Sequence, residues 1–270
     1  MSRPRPLNPV GLTALVTGAS GGIGLEIARL HARLGGTPVL VARSRAALER
    51  ISAEMLDAHG IDAPVIVCDL AAPDAAETLW RRVADQSLTI DLLVNNAGFG
   101  GTGRVWERPY EEERDMVRLN VETLANLTRL ALPGMIARGR GAVLNVGSMA
   151  GFVPGPRMAT YYATKAFVLS YTEALAEELE GTGVSATVLA PGPVKTGFQK
   201  RARFRADRAS NPRAMAADKV AAIGYDAMLR GDTLVIPGRN NRVGAKLVRF
   251  LPRATRRRLM NRVNARQMSR

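Results

Sequence analysis

A chain of 270 residues, 46% of them hydrophobic, suits one large α/β domain with a substantial core. No apolar run approaches the ~20 residues of a membrane-spanning helix, and a single cysteine, Cys68, excludes an internal disulfide framework and fits a reducing cytoplasm. The net charge of +14 would by itself point to nucleic acid, but it is concentrated in two segments, 195–213 and 239–270, and the remainder is slightly acidic.

Residues 1–9, rich in arginine and proline, form an N-terminal arm, and the short apolar run after them reads as a strand rather than a signal-peptide core. Leu12 to Thr17 is that first predicted strand. It feeds a glycine loop and a helix from Gly22 to Leu34, which Gly35-Gly36 closes. Strands follow at Pro38 to Val41 and Pro64 to Val67, separated by a helix from Arg45 to His59 that stops at Gly60. Pro73 opens another helix, since proline suits a first turn. Asp91 to Val94 is the fourth strand, with helices from Glu111 to Leu119 and from Val121 to Ala137. The fifth strand is Ala142 to Val146, a long helix runs from Thr160 to Glu180, and strands at Val184 to Leu189 and Thr233 to Ile236 complete the set. Strands alternating with helices predict βαβ units, hence a doubly wound α/β Rossmann fold on a mainly parallel seven-stranded sheet. His31 and His59 stand alone in predicted helices and read as surface residues, and no metal site is expected.

The first loop reads Thr17-Gly18-Ala19-Ser20-Gly21-Gly22-Ile23-Gly24. The spacing G-x3-G-x-G differs from the common dinucleotide fingerprint, but the physics is shared. Glycines permit a tight turn and close approach of backbone to ligand, and the helix N-terminus favours a pyrophosphate. Gly18, Ser20, Gly22, Ile23 and Gly24 are therefore candidate cofactor contacts. The second strand ends in Val41-Ala42-Arg43-Ser44. An acid there would hold both ribose hydroxyls of NAD. Ala42 occupies that place and Arg43 follows, so Arg43 and Ser44 are read as contacts to the 2′-phosphate of NADP(H).

Tyr161 and Lys165 are four residues apart, on one face of the long predicted helix. A carbonyl accepting hydride develops negative charge on oxygen and needs a proton. Tyrosine can supply it, and a lysine one turn away is expected to lower its pKa. Tyr162 is three residues from Lys165 and is expected to point elsewhere. Ser148, just after the fifth strand, is placed to hold the substrate oxygen.

The glycine run, Asn95-Asn96-Ala97-Gly98, Asn120, Ser148, Tyr161 with Lys165, and Pro191-Gly192 together resemble the short-chain dehydrogenase/reductases, over roughly residues 10 to 236. Leu132 to Met135 through Lys165 to Phe167, with the basic C-terminus, looks most like the 3-oxoacyl and hydroxysteroid reductase branch. The resemblance implies an NADPH-dependent oxidoreductase reducing a ketone or aldehyde, with an apolar or acyl-type substrate. It implies that Lys165 holds the nicotinamide ribose, that Asn120 extends a proton relay through water, and that Asp69 and Leu70 flank the adenine. It further assigns Asn95, Ala97 and Gly98 to the adenosine side, and Pro191, Gly192, Val194 and Thr196 to the nicotinamide end. An NAD-dependent alcohol or hydroxysteroid dehydrogenase, and a catalytically idle dinucleotide-sensing scaffold, stand as alternatives. Residues 10–238 form the binding and catalytic domain on this basis, with a substrate lid near 195–215. A homo-oligomer built on the two long helices is implied.

The lid region carries Lys195, Lys200, Arg201, Arg203, Arg205, Arg208 and Arg213, suited to an anionic acyl carrier. Residues 239–270 carry eleven Lys/Arg and no acid, interleaved with Val243, Leu247, Phe250, Leu251, Leu259, Met260 and Val263. One or two basic amphipathic helices broken at Pro252 are predicted, suited to packing on the enzyme or a neighbouring subunit, or to peripheral contact with an anionic membrane. Nucleic acid is not expected, because aromatics for base stacking are nearly absent.

Overall fold

The structure, a computed structural model, describes residues 6–202 and 214–266. Its centre is a seven-stranded, all-parallel sheet: β1 (Thr13–Thr17), β2 (Thr37–Ala42), β3 (Val65–Val67), β4 (Leu92–Asn95), β5 (Gly141–Val146), β6 (Val184–Leu189) and, after two short strands, β9 (Leu234–Val235). The order is β3-β2-β1-β4-β5-β6-β9, so the strand order reverses between β1 and β4, which themselves pair in parallel. That switch point is where an open parallel sheet binds its ligands.

The strands read as unbroken apolar runs because helices cover both faces. Along β1 the pleat sends Ala14 and Val16 to one layer and Leu15 to the other. The first layer holds α1 (Gly22–Arg33), α2 (Arg45–His59) and α8 (Ala217–Arg230), with Ile27, Leu48, Ile51, Val220 and Tyr225 fully or almost fully buried. The second holds α3 (Ala75–Asp85), α5 (Leu124–Ala137) and α6 (Ala159–Glu178), with Leu79, Leu127 and Met135 packed on Leu15, Leu93 and Val143. Truncating any one of these leucines to alanine costs about 2–5 kcal/mol.

Local chemistry sets the ends. The Ser44 hydroxyl caps α2 by accepting from Ala47 N at 3.4 Å, and Gly60, at φ +67°, ends the same helix in the left-handed region that side chains avoid.

Several features depart from the sequence expectations. α4 (Tyr110–Val117) does not stop but widens into one π turn, Arg118–Thr123, before continuing as α5. Residues 196–232, left without an element by the pattern, contain α7 (Phe198–Arg201), α8 and one strand of the parallel pair β7 (Val194–Lys195) and β8 (Met215–Ala216). His31 is a core residue, not a surface one. It is fully buried, with Nδ1 2.6 Å from the Tyr225 hydroxyl and Nε2 2.9 Å from Leu12 O. A helix face that carries a histidine toward two fixed partners looks identical in sequence to one that carries it toward water.

The basic C-terminus forms α9 (Arg239–Phe250) and α10 (Arg253–Ala265), with Pro252 between them. No helix among the described residues is long and apolar enough to cross a membrane. The lid arginines Arg203, Arg205, Arg208 and Arg213 lie outside the described residues.

Candidate active site

A cavity of about 1420 Å³ opens along the C-terminal edge of the sheet, from the glycine loop to α6. At one end, α1 begins with no side-chain cap on Gly21 and no acid in its first turn, so its leading N–H groups and the positive end of its dipole face the cavity. Gly18 and Gly22 have φ of +68° and +60°. A Cβ on Gly18 would lie 2.8 Å from Asn96 Nδ2, and one on Gly24 only 2.3 Å from the same atom. The loop is thus a cradle that side chains would fill. Gly18, Ser20, Gly22 and Ile23 line the cavity; Gly24 lies behind it and serves close packing.

Asn96 holds this loop in place. Its Nδ2 donates to Thr17 O at 2.9 Å and Gly18 O at 3.3 Å, while the N–H groups of Asn96 and Ala97 both donate to Thr17 Oγ1 at 3.0 Å. Asn95, expected on the adenosine side, is instead buried beneath the floor. Its Nδ2 donates to Asn145 Oδ1 at 2.9 Å and Thr128 Oγ1 at 3.0 Å, and it does not line the cavity. Alternation explains the correction: Asn95 is the last residue of β4 and faces a helix, while Asn96, first of the loop, faces the glycines. Ala97 and Gly98 line the cavity as expected.

At the end of β2, Ala42 is buried and Arg43 and Ser44 are exposed on the cavity rim. Ser44 Oγ is already engaged as the α2 cap. Asp69 is exposed and accepts from Ala71 N at 3.1 Å, beside buried Leu70. Pro191, Gly192, Val194 and Thr196 form the far rim. That loop is braced from outside: a Cβ on Gly192 would meet Asn241 of α9 at 2.7 Å.

The other end carries Ser148, Tyr161 and Lys165. Ser148 follows β5 and caps the 3-10 turn Met149–Phe152 by accepting from Ala150 N at 3.1 Å. Its side chain also acts on the Tyr161 hydroxyl, favouring the phenolate. Tyr161 and Lys165, buried on one face of α6, both line the cavity. Burial pushes the Tyr161 phenol up to about 12, against the downward pull of Ser148. Burial also lowers the Lys165 ammonium to about 8, and its Nζ donates to Val146 O at 2.7 Å. The expected lowering of the tyrosine pKa by lysine is therefore not met in the protein alone. Loss of water from the phenol outweighs every attraction acting on it.

Asn120 sits in the π turn, a device often found at functional sites. Its side chain does not line the cavity: Oδ1 accepts from Phe99 N at 3.2 Å, and Nδ2 donates to Phe99 O at 2.9 Å and Thr164 Oγ1 at 3.1 Å. It clamps the β4 loop to α6, just behind Gly98 and Lys165. Tyr162 turns away from Lys165 and donates to Asn264 Oδ1 of α10 at 3.1 Å. Around Tyr161 the wall is apolar, with the Phe198 ring centroid 5.4 Å away and Phe99, Met158 and Tyr162 packed beside it. Asn96 lies within the Asn95-Asn96-Ala97-Gly98 motif, which assigned it no role; Phe198 and the asparagines of the C-terminal helices carry no motif that singles them out in sequence.

A parallel sheet with a free helix N-terminus at its switch point, sharing one cavity with a buried tyrosine and lysine, defines a Rossmann-type oxidoreductase. Residues 12–207 match the family model for short chain dehydrogenases, and the chain belongs to that family. The very-long-chain 3-oxoacyl-CoA reductase of Pyrenophora tritici-repentis is 35% identical over 196 residues, covering 71% of this chain and 58% of that protein. The 3-oxoacyl-(acyl-carrier-protein) reductase of Vibrio cholerae is 31% identical over 243 residues, 86% of this chain and 98% of that one. Both lie in the 3-oxoacyl reductase branch; the chain spans between about half and two thirds of the length of the fungal reductases it matches. Among solved structures, a short-chain dehydrogenase from Sphingobium yanoikuyae in complex with NADPH superposes with a TM-score of 0.79 at 30% identity, covering 90% of this chain and 97% of that one. A 7β-hydroxysteroid dehydrogenase gives 0.84 at 26% identity, covering 94% and 98%.

Proposed function

We propose that this protein is an NADPH-dependent reductase that converts an apolar or acyl-type ketone or aldehyde to the alcohol. The observation that carries this reading is the buried Tyr161, one helical turn from Lys165, sharing one cavity with Ser148 and the free N-terminus of α1.

The reduced nicotinamide, when bound, supplies hydride to the carbonyl carbon. The chain's own residues do the rest. Ser148 Oγ orients the carbonyl oxygen by hydrogen bonding. Tyr161 donates the proton that oxygen takes up as it becomes an alkoxide. A phenol held at about 12 is fully protonated at neutral pH, so the acid is loaded before reaction. Lys165, held by Val146 O, anchors the nicotinamide ribose, and its charge opposes the negative charge left on Tyr161 after transfer. Asn120, clamping Phe99 and Thr164 behind Lys165, extends the relay that returns a proton from water.

The α1 N-terminus with Gly18, Ser20, Gly22 and Ile23 receives the pyrophosphate. Asp69, Leu70, Ala97 and Gly98 bound the adenosine end, and Pro191, Gly192, Val194 and Thr196 the nicotinamide end. Arg43 favours NADPH, since it offers a charge-assisted bond to a 2′-phosphate and buried Ala42 offers the ribose no carboxylate. The wall of Phe99, Met158, Tyr162 and Phe198 supports an apolar substrate, as do the 3-oxoacyl reductase relatives. A panel of ketones, 3-oxoacyl thioesters and steroids, assayed with NADPH and NADH, tests the proposal. Turnover of at least one carbonyl with NADPH is expected; its absence across the panel rejects the reading.

A further inference from the structure

α9 and α10 are fixed to the body by their inner faces. Ala245 is buried, and Asn241 sits against Gly192. Asn264, 1% exposed, accepts from Tyr162 and donates to Pro156 O at 2.9 Å, while Arg157 Nε donates to Asn261 Oδ1 at 3.1 Å. With those faces satisfied, the helices still present apolar side chains outward. On α9, Val243, Leu247 and Phe250 recur at i, i+4 and i+7 and are 55%, 62% and 85% exposed. A stripe with helical spacing on the side away from the core is an apolar face without a partner among the described residues. On α10, Leu259 and Val263, also four residues apart, are exposed.

The surroundings of that stripe have one sign of charge. Arg239, Arg242 and Lys246 are exposed on the same helix, and residues 239–270 hold eleven Lys/Arg with no acid. A second copy of this face would bring like charges together without a countercharge from the same segment. Nucleic acid offers phosphates but no medium for leucine and valine. An anionic bilayer meets both demands: acyl chains receive the apolar stripe, and long basic side chains reach back to the headgroups.

We infer that α9 and α10 form an interfacial anchor that seats this protein on an anionic membrane surface, with Val243, Leu247 and Phe250 inserted and the flanking cations on the headgroups. The anchor lies in the plane of the surface and does not span it. The inference rests on exposure and charge and is independent of the chemistry proposed for the cavity.

Full-length protein is sedimented with vesicles of phosphatidylglycerol and phosphatidylcholine, and with vesicles of phosphatidylcholine alone. It is expected to pellet with the anionic vesicles at low salt and to be released as salt rises. Leu247→Glu with Phe250→Glu should weaken binding by at least ~10-fold, since both changes remove inserted surface and add repulsion. Arg239→Gln with Lys246→Gln should weaken it and flatten the salt dependence. Both pairs are exposed, and an unchanged thermal melt verifies the fold. A Phe250→Trp variant gives a readout free of any destabilising change, with emission expected to shift to the blue on adding anionic vesicles. Three results overturn the inference: protein left in the supernatant, binding unaffected by the Glu pair, or unshifted Trp emission. Light scattering in which the Glu pair turns an oligomer into a monomer would also overturn it, making the stripe a subunit contact.

Discussion

Acidification should cost this protein more stability than its carboxylates alone explain, and His31 is the reason. Leu12 O can only accept, so Nε2 carries the ring proton and donates to it, and Nδ1 accepts from the Tyr225 hydroxyl. A second proton would force the Tyr225 hydroxyl to turn from donor to acceptor and would place a charge in a site with no exposure. Burial accordingly lowers the pKa from 6.5 to about 4. The folded pKa is depressed for a base, so the neutral form belongs to the native state. The unfolded chain takes up a proton through its ordinary pKa near 6.5, and the native state does not until near 4. Stability is therefore complete above the unfolded value and falls as pH drops between the two. A shift of that size is worth about 3 kcal/mol once pH reaches the lower limit, and about 2 kcal/mol at pH ~5. His31→Gln removes the titration while keeping a polar side chain of similar length. Urea unfolding of both proteins at pH ~7.5 and ~5 gives two losses, and carboxylates contribute equally to each. The wild type should lose about 2 kcal/mol more than the variant. Equal losses would refute the reasoning, whatever the absolute stabilities.

Tyr161→Phe should reduce turnover at least ~10²-fold with cofactor binding intact, whereas Tyr162→Phe, which loses only the bond to Asn264, should stay within ~10-fold. Steady-state kinetics with cofactor titration distinguishes the two, and the opposite ranking would reassign the proton donor. Lys165→Ala should damage both turnover and cofactor binding. Arg43→Ala should weaken NADPH by about 10-fold, the low end for a charge-assisted bond at an exposed site, and leave NADH nearly unchanged; a wild type that binds NADH more tightly in calorimetry contradicts this. Gly24→Ala should destabilise the fold by about 1–3 kcal/mol and loosen the cofactor, because its Cβ would displace Asn96 from the loop; a thermal melt matching wild type counts against it. A homo-oligomer through α5 and α6 is expected, and light scattering showing only monomer at micromolar protein rejects it.

What was legible in the sequence follows from how each element is specified. The seven strands and most helices announce themselves by apolar runs and by glycine and proline at their ends, and βαβ alternation leaves few topologies open. The pairing of Tyr161 with Lys165 was legible because its spacing is itself geometric: four residues on one helix define one face. Ser148 was legible from its place after the fifth strand and from the family resemblance. Asn95 was misplaced because assigning it needs the pleat phase at the last residue of β4, where a shift of one exchanges cavity for core. His31 was misplaced because its partners lie 19 and 194 residues away, and only the packed fold brings them together. The tyrosine's acidity was misjudged for a related reason. Spacing reveals a neighbouring charge, but desolvation depends on what covers both groups.

Beneath the cavity, Asn95 reaches Asn145 and Thr128, Asn145 reaches Thr172 at 2.9 Å, and Thr172 reaches Val168 O at 2.7 Å, joining β4, β5, α5 and α6 through bonds that no solvent touches. The walls above are made otherwise, from the loop at Phe99, the turn at Met149 and α7, with the two C-terminal helices bracing Gly192 and Tyr162 from outside. Under the proposed function, reaction type and substrate choice thus occupy separate parts of the chain. A laboratory seeking a new carbonyl specificity would then randomise the walls and leave the foundation alone, because Tyr161 takes its position from below and the guest would take its shape from above.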